Sequence, residues 1–206
     1  MDVDAVEIRV LGCLIEKQRT TPDQYPLSLN ALRLACNQTT NRDPVVEYDE
    51  RMIKAALDRM SHRGWTRFAS GASSRALKYR HLLDEALGIS DAELAVLTVL
   101  MLRGPQTLGE LKQRTERMHQ FASLEEVAQT LHSLAGKELA ATLERRPGQK
   151  EERYAQLLGG EAPTEELGSD PEPGLTPGGD DRLAEFEARL ARLERAFDEL
   201  STRFGG

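Results

Sequence analysis

Apolar residues recur along this chain in one helix–helix–helix–hairpin pattern that occurs twice. The segment 7–15 (EIRVLGCLI) returns as 93–101 (ELAVLTVLM), with apolar residues at matching positions. The apolar residues at 53, 57 and 60 return at 127, 131 and 134, with their spacing unchanged. Such an internal repeat indicates two copies of one structural unit, and an offset that shrinks along the chain places the extra residues of the first copy in its connections.

The periodicity within each copy predicts three helices and a hairpin. An apolar stripe with helical spacing runs from position 6 to 15, and Ser28 and Asp49 can cap two further helices. Strand-like alternation follows at 65–68 and 77–81, with turn residues at 71–74 between them. The same pattern in the second copy predicts helices and a hairpin turn at about Asp91–Leu102, Leu108–Glu116, Leu124–Ala135 and Arg146–Gln149.

Three helices followed by a hairpin are typical of a winged helix-turn-helix domain. We predict a mainly α-helical fold with small β wings, built from two tandem winged helix-turn-helix domains and a C-terminal amphipathic helix of coiled-coil type. A chain of 206 residues is long enough for two such domains. The predicted boundaries are 1–89 for the first domain, 90–158 for the second, 159–181 for a flexible Gly/Pro/acidic linker and 182–206 for the C-terminal helix.

The predicted C-terminal helix carries an unbroken heptad seam. Its large apolar residues alternate in spacings of three and four: Leu183, Phe186, Leu190, Leu193, Phe197, Leu200 and Phe204. Arginines at g positions and glutamates at e positions would face each other in a parallel pair, whereas an antiparallel pair would bring like charges together. The seam predicts a homo-oligomer, in its simplest form a parallel dimer. The alternative is an amphipathic helix that docks on its own winged-helix core.

Charge and targeting signals narrow the classes of protein. Residues 1–89 carry 13 basic and 12 acidic side chains, residues 90–160 carry 9 and 10, and residues 161–206 carry 5 and 12. The net charge of −7 therefore lies in the C-terminal segment. The N-terminus has acids rather than a basic region before an apolar stretch, and no apolar run approaches the ~20 residues that span a bilayer. We expect a cytoplasmic protein that has no membrane partner.

Residues suited to enzymatic chemistry are sparse. The four histidines are scattered and show no metal-ligand spacing to cysteines or carboxylates, and the glycine pairs lie in the linker rather than after a strand. Cys13 and Cys36 fall on predicted helices among apolar neighbours, as small buried residues do. We therefore expect a protein that is not an enzyme and that uses no metal or cofactor.

The connection between the second and third predicted helices has an unusual composition. Residues 35–47 read ACNQTTNRDPVVE, and together with 11–17 (LGCLIEK) and 26–32 (PLSLNAL) they resemble the YceH family of bacterial proteins. The similarity runs through both predicted winged helices and, more loosely, into the C-terminal helix. The resemblance implies a tandem winged-helix protein of the bacterial cytoplasm, and it brings no catalytic residues and no assigned biochemical role.

The same connection offers a candidate binding surface. Asn37, Gln38, Asn41 and Arg42 supply donors and acceptors just ahead of the third helix, where winged helices meet partners. The alternative is that these side chains cap helix ends and close turns, as short polar residues do in many connections.

Double-stranded DNA is the usual ligand of this architecture, although a fold alone does not confer that function. The candidate cations lie on the third helix and wing of the first copy and on the second wing: Arg51, Lys54, Arg67, Arg75, Lys78, Arg80, Arg145, Arg146 and Lys150. Against DNA, acids such as Glu47, Asp49 and Glu50 precede or begin the third helix, and the pI of 5.3 is far below the basic values of most DNA-binding domains. Two functions stay open, a DNA-binding regulator and a protein-interaction module or scaffold that uses winged helices as docking surfaces.

Overall fold

The structure, a computed structural model, describes residues 3–69, 77–143 and 151–160. This part of the chain is mainly helical with two small antiparallel sheets, as predicted. Its helices are α1 (Ala5–Thr20), α2 (Leu29–Cys36), α3 (Glu50–His62), α4 (Leu83–Leu87), α5 (Asp91–Arg103), α6 (Leu108–Thr115) and α7 (Leu124–Gly136). Its strands are β1 (Leu27–Ser28), β2 (Thr66–Ala69), β3 (Lys78–His81), β4 (Ala140–Leu143) and β5 (Arg153–Gln156).

All described residues fall in one compact unit, Met1–Pro163. The predicted hairpin turns, most of the linker and the heptad helix lie outside the described residues, as do the candidates Arg75, Arg145, Arg146 and Lys150. The division into two domains at residue 89 stays a prediction, and so does the dimer.

The helix ends agree closely with the sequence pattern. Each helix of the second copy begins at the predicted residue and ends within one residue of the predicted end. The two predicted caps are also confirmed, since the Ser28 hydroxyl accepts from the Ala31 N–H at 3.3 Å and the Asp49 carboxylate accepts from the Met52 N–H at 2.8 Å. Local side-chain chemistry therefore fixes where these helices start.

The structure contains three short elements that the sequence pattern did not predict. Strand β1 pairs with β3 through Leu27 and Tyr79, which gives a three-stranded sheet in the order β1-β3-β2. In the second copy a single bridge between Gln106 and Tyr154 takes the equivalent place beside the β4–β5 hairpin. The short helix α4 follows β3 and ends at Gly88, whose φ of 60° suits a residue without a side chain.

Corresponding helices and strands of the two copies are separated by constant numbers of residues over most of the repeat. Helix α7 begins and ends the same number of residues after α3 begins and ends. Strand β4 follows β2 by that same number of residues. Helix α6 keeps a single, larger offset from α2. The difference arises because the connection from α2 to α3 runs from 37 to 49, whereas the one from α6 to α7 runs only from 116 to 123. The longer connection of the first copy contains the unusual segment at 37–47.

Each copy has a buried glutamate in its first helix that contacts the end of its third helix. Glu7 closes a capping box with Asp4, and Glu93 closes one with Ser90. The Glu7 carboxylate also lies 3.3 Å from Arg59 and 3.1 Å from Arg63 at the end of α3. The Glu93 carboxylate accepts from Ser133 at 2.8 Å and pairs with Lys137 at 2.8 Å. The offset that relates α7 to α3 also relates Ser133 and Lys137 to Arg59 and Arg63, so the ion pair belongs to the repeated unit.

Low pH is expected to weaken the interaction of Glu93 with Ser133 and Lys137. Burial alone would raise the pKa of Glu93, but hydrogen bonds from Lys137, Ser90 and Ser133 lower that pKa to about 2. A carboxylate whose pKa is lower in the folded state than in the unfolded state stabilises the fold above the unfolded pKa of about 4.3, and that contribution is lost as the pH falls towards 2. We expect Glu93→Gln to lower the free energy of unfolding by roughly 1–3 kcal/mol at neutral pH and by much less near pH 3, measured by urea unfolding.

Glu110 provides the matched control, because it occupies the same position of a capping box in α6 with its side chain 38% exposed. Glu110→Gln should lower the stability only slightly at neutral pH. An equal loss for Glu93→Gln at both pH values would contradict the predicted role of the ionised Glu93 carboxylate.

The two copies meet where α1 packs along α5. Gly12 of α1 faces Leu102 so closely that a Cβ atom at Gly12 would lie 2.8 Å from Cγ and Cδ2 of Leu102. Around this contact Leu11, Leu14, Leu97 and Leu100 are almost fully buried. The absence of a side chain at Gly12 therefore sets how closely the copies approach.

Candidate nucleic-acid interface

Helix α3 of the first copy presents an exposed face with a mixed set of cations. Arg51 is exposed near the start of the helix, and no hydrogen bond or ion pair of its side chain occurs within the described residues. Lys54 pairs with Asp58 one turn later at 2.5 Å. Arg59 and Arg63 are engaged by the buried Glu7. Of these four cations, Arg51 is the one best placed to contact a ligand.

Acids at the start of α3 have structural partners. Asp49 is the N-cap of the helix, and Glu50 lies 3.9 Å from Arg33 of α2. Acidic side chains are favoured in the first turn of a helix by the backbone dipole. The negative charge predicted to oppose phosphate is therefore partly neutralised by the protein itself.

The β2–β3 hairpin gathers three cations on one face. The register sets Arg67 opposite Arg80 and Ala69 opposite Lys78, so the three basic side chains share the face turned away from buried Thr66, Tyr79 and His81. Arg80 has Glu85 at 3.6 Å, whereas Arg67 and Lys78 have no ion-pair partner among the described residues. Like charges directly opposite each other destabilise a hairpin, and an anion on this face would relieve the repulsion.

The inner face of the hairpin is anchored to α1. The His81 imidazole lies 2.6 Å from Oε1 of Gln18. The backbone N–H of His81 donates to the Tyr25 hydroxyl at 2.8 Å. Burial lowers the pKa of His81 to about 4, so this ring is neutral near pH 7. These hydrogen bonds therefore hold the hairpin in place, with its cations on the opposite face.

In the connection from α2 to α3, three predicted candidates bond within the fold. The Asn37 side chain donates to the Tyr48 carbonyl at 2.8 Å and accepts from the Tyr48 N–H at 2.9 Å, as a neighbouring strand would. The Gln38 carbonyl oxygen accepts from Arg42 at 2.9 Å. Asn41, whose φ is 61°, accepts through its side chain from Arg103 of α5. These contacts support the alternative of turn and loop closure for this segment.

Arg42 is the centre of this connection. Its guanidinium is fully buried and makes a two-pronged contact with the Glu16 carboxylate of α1, at 3.1 and 2.6 Å. It also donates to the Ala35 carbonyl at 3.2 Å. Burial would raise the pKa of Glu16, but the hydrogen bonds and charge of Arg42 outweigh it and hold that pKa below its ordinary value.

A second buried arginine, which is not among the predicted candidates, fastens the other end of the connection. Arg9 of α1 donates to the Cys36 carbonyl at 3.2 Å and to the Pro44 carbonyl at 2.6 Å. The sequence signal for it is a cation within an otherwise apolar stripe of α1. The Asp43 N–H also donates to the Leu102 carbonyl at 2.9 Å, so the longer connection of the first copy reaches α5 of the second.

Apolar side chains are also exposed around this surface. Leu34 of α2 is 57% exposed, Val45 of the connection 56% and Met52 of α3 42%. Single exposed apolar residues are ordinary, but several on neighbouring elements suit contact with another protein.

Within the described residues, no group of three or more His, Cys, Asp or Glu side chains could hold a metal ion. Cys13 and Cys36 are both buried free thiols, as the sequence predicts. Among the same residues no helix is both long and apolar enough to cross a membrane.

Comparison with known proteins places this chain among bacterial relatives. The family described as "Protein of unknown function, DUF480" matches residues 3–149. A "UPF0502 protein" of Pelobacter propionicus is 48% identical over 99% of both chains. Proteins of the same name from Solibacter usitatus and Pseudomonas aeruginosa are 45% and 46% identical, over 98% and 92% of this chain and 98% and 85% of their own. The chain belongs to the DUF480 or UPF0502 family of bacterial proteins, which is the YceH family that its motifs resemble.

Proposed function

We propose that this chain is a non-enzymatic tandem winged-helix protein that binds double-stranded DNA through its first copy. The topology supports the proposal, because α1, β1, α2, α3 and the β2–β3 hairpin follow one another with β1 paired to β3. The second copy repeats this order from α5 to β5. In helix-turn-helix proteins a recognition helix lies in the major groove, while other elements contact the backbone.

The observation that carries the proposal is the cationic face of the hairpin. Arg67 and Arg80 stand opposite each other and Lys78 lies on the same face, with one acidic ion-pair partner, Glu85, among the described residues. Phosphate is the ligand that would offset this charge, and phosphate contacts position a protein on a duplex. Arg51, exposed on α3 without a described partner, would then face the base edges or the flanking phosphates.

A role in protein docking is the second candidate function. It is favoured by the exposed Leu34, Val45 and Met52 around α2 and α3, the same elements that DNA would approach. The predicted parallel dimer would present two copies of either surface, and the predicted cytoplasmic location suits both functions.

A salt-dependent titration tests the DNA proposal. We expect the full chain to bind a random-sequence duplex, measured by fluorescence anisotropy, with affinity that falls as salt rises. Arg67→Ala/Lys78→Ala should weaken binding to all sequences and flatten the slope of log affinity against log salt by about 0.9 for each phosphate contact that is lost.

Arg192→Ala/Arg195→Ala is the matched control, since it removes the same charge from the C-terminal segment. It should leave the slope unchanged. An unchanged slope in the hairpin variant, or no binding of the unaltered chain at low salt, would contradict DNA binding. Protein docking would then be the better-supported function.

A further inference from the structure

A cleft of about 620 Å³ opens between the two copies, and none of its lining residues belongs to the β2–β3 hairpin. Its walls are the C-terminal end of α1, the connection from α2 to α3, the end of α5, and α6 with the residues that follow it. A volume of this size lies within the range of small-molecule sites. The longer connection of the first copy forms one wall of the cleft, and it reaches α5 through the hydrogen bond from the Asp43 N–H to the Leu102 carbonyl.

Four cations from both copies line this cleft. Lys17 comes from α1, Arg103 from α5, and Arg114 and Arg117 from α6 and the turn after it. Two acids, Glu16 and Glu116, share the lining. The cations therefore outnumber the acids by two.

The acids neutralise only part of this charge, and Arg114 also pairs at 3.1 Å with Glu110, which lies outside the lining. Glu16 lies 3.1 Å from Lys17, but its carboxylate is already engaged by the buried Arg42. Arg103 is hydrogen-bonded to the neutral side chain of Asn41, and Arg117 is exposed and has no ion-pair partner among the described residues. Burial lowers the pKa of Arg103, and the positive charges of Arg114 and Arg42 lower it further, against the opposing effect of Glu16 and Glu110.

The remaining lining adds polar groups that suit a phosphate ligand. Gln38 uses its carbonyl oxygen for Arg42 and Lys17, which leaves its amide NH₂ group as a donor, and Thr40 adds a hydroxyl. Guanidinium groups bind phosphate oxygens through paired N–H donors.

We infer that this cleft binds a small compound that carries a diphosphate group, with its phosphates on the cations. Because Lys17 belongs to the first copy and Arg103 and Arg117 belong to the second, such a ligand would hold the two copies together. The inference goes beyond DNA contact by the hairpin and does not depend on it.

Thermal unfolding and calorimetric titration of the full chain test the inference with ADP, inorganic pyrophosphate and adenosine as probes. We expect ADP and pyrophosphate to raise the melting temperature and adenosine to leave it unchanged, because a ligand that binds only the folded state stabilises that state. Arg117→Ala should weaken ADP binding about tenfold, as the loss of one charge-assisted hydrogen bond does. Since Arg117 is exposed, this variant is expected to fold.

Lys112→Ala is the matched control, because Lys112 lies on α6 but outside the lining of the cleft. It should leave ADP binding unchanged. No rise in melting temperature with either ADP or pyrophosphate overturns the inference, as does an equal loss of ADP affinity in both variants. If a duplex binds through Arg117 while ADP does not bind, these cations belong to a nucleic-acid surface and the inference is also overturned.

Discussion

Replacing Arg42 with alanine is expected to lower the free energy of unfolding by about 3–5 kcal/mol, measured by urea unfolding at neutral pH. The substitution removes the buried guanidinium and leaves the Glu16 carboxylate, 17% exposed, without its two-pronged partner. It also leaves the Ala35 carbonyl without the donor that Arg42 supplies. Removing one member of a buried ion pair costs more than the pair itself contributes, because the remaining charge stays desolvated.

Two further variants separate the ion pair from the general loss of a cation. Arg42→Lys keeps the charge but cannot form the paired contact, so we expect it to restore only part of the stability. Arg51→Ala removes an exposed arginine that has no described partner and should change stability by no more than about 0.5 kcal/mol. A loss below about 1 kcal/mol in Arg42→Ala would show that Glu16 finds another partner or becomes solvated.

Hydrogen exchange gives a local readout of the same substitution. The Asp43 N–H donates to the Leu102 carbonyl, and the Tyr48 N–H donates to the Asn37 side chain. If Arg42 fastens the connection, both amides should exchange faster in Arg42→Ala under conditions where the helices stay folded. Unchanged protection of these amides would mean that Arg9 alone holds the segment.

Periodicity was sufficient to predict the longer helices but not the short helix α4 or the shortest strands. The sequence pattern located α5, α6 and α7 to within a residue, since α6 and α7 each bury one face and α5 is buried on all sides from Glu93 to Leu102. Strand β1 has two residues and its counterpart in the second copy is the single residue Gln106, so neither can show alternation. Their pairing with Tyr79 and Tyr154 depends on contacts across the fold rather than on local sequence.

Candidate site residues were harder to interpret, since a sequence shows which side chains can donate but not where they point. Asn37 and Arg42 stand out by composition, yet their partners are Tyr48 and Glu16, which lie 11 and 26 residues away. The partner of Lys54, by contrast, stands at a helical spacing that the sequence reveals, four residues on at Asp58. The cleft between the copies depends on α1 and α5 packing together, which no local pattern records.

That packing is tested by Gly12→Leu, which is expected to lower the free energy of unfolding by about 1–3 kcal/mol or more. Leucine is favoured over glycine in a helix by up to about 1 kcal/mol, so a net loss would have to come from crowding. The crowding has a defined source, because a Cβ atom at position 12 would already lie 2.8 Å from Leu102 and 3.4 Å from Cβ of Met101. Helices α1 and α5 must therefore separate or Leu102 must leave its position.

Gly109 supplies the opposite case within the same chain. It lies in α6, where the nearest atom to an added Cβ is the Thr107 hydroxyl oxygen at 4.0 Å, so Gly109→Leu should raise stability by up to about 1 kcal/mol. In a double-mutant cycle, Leu102→Ala should make room for the new side chain, and Gly12→Leu/Leu102→Ala should cost less than the sum of the two single changes. Strictly additive losses would place the crowding elsewhere and would show that Leu102 does not set the distance between the copies.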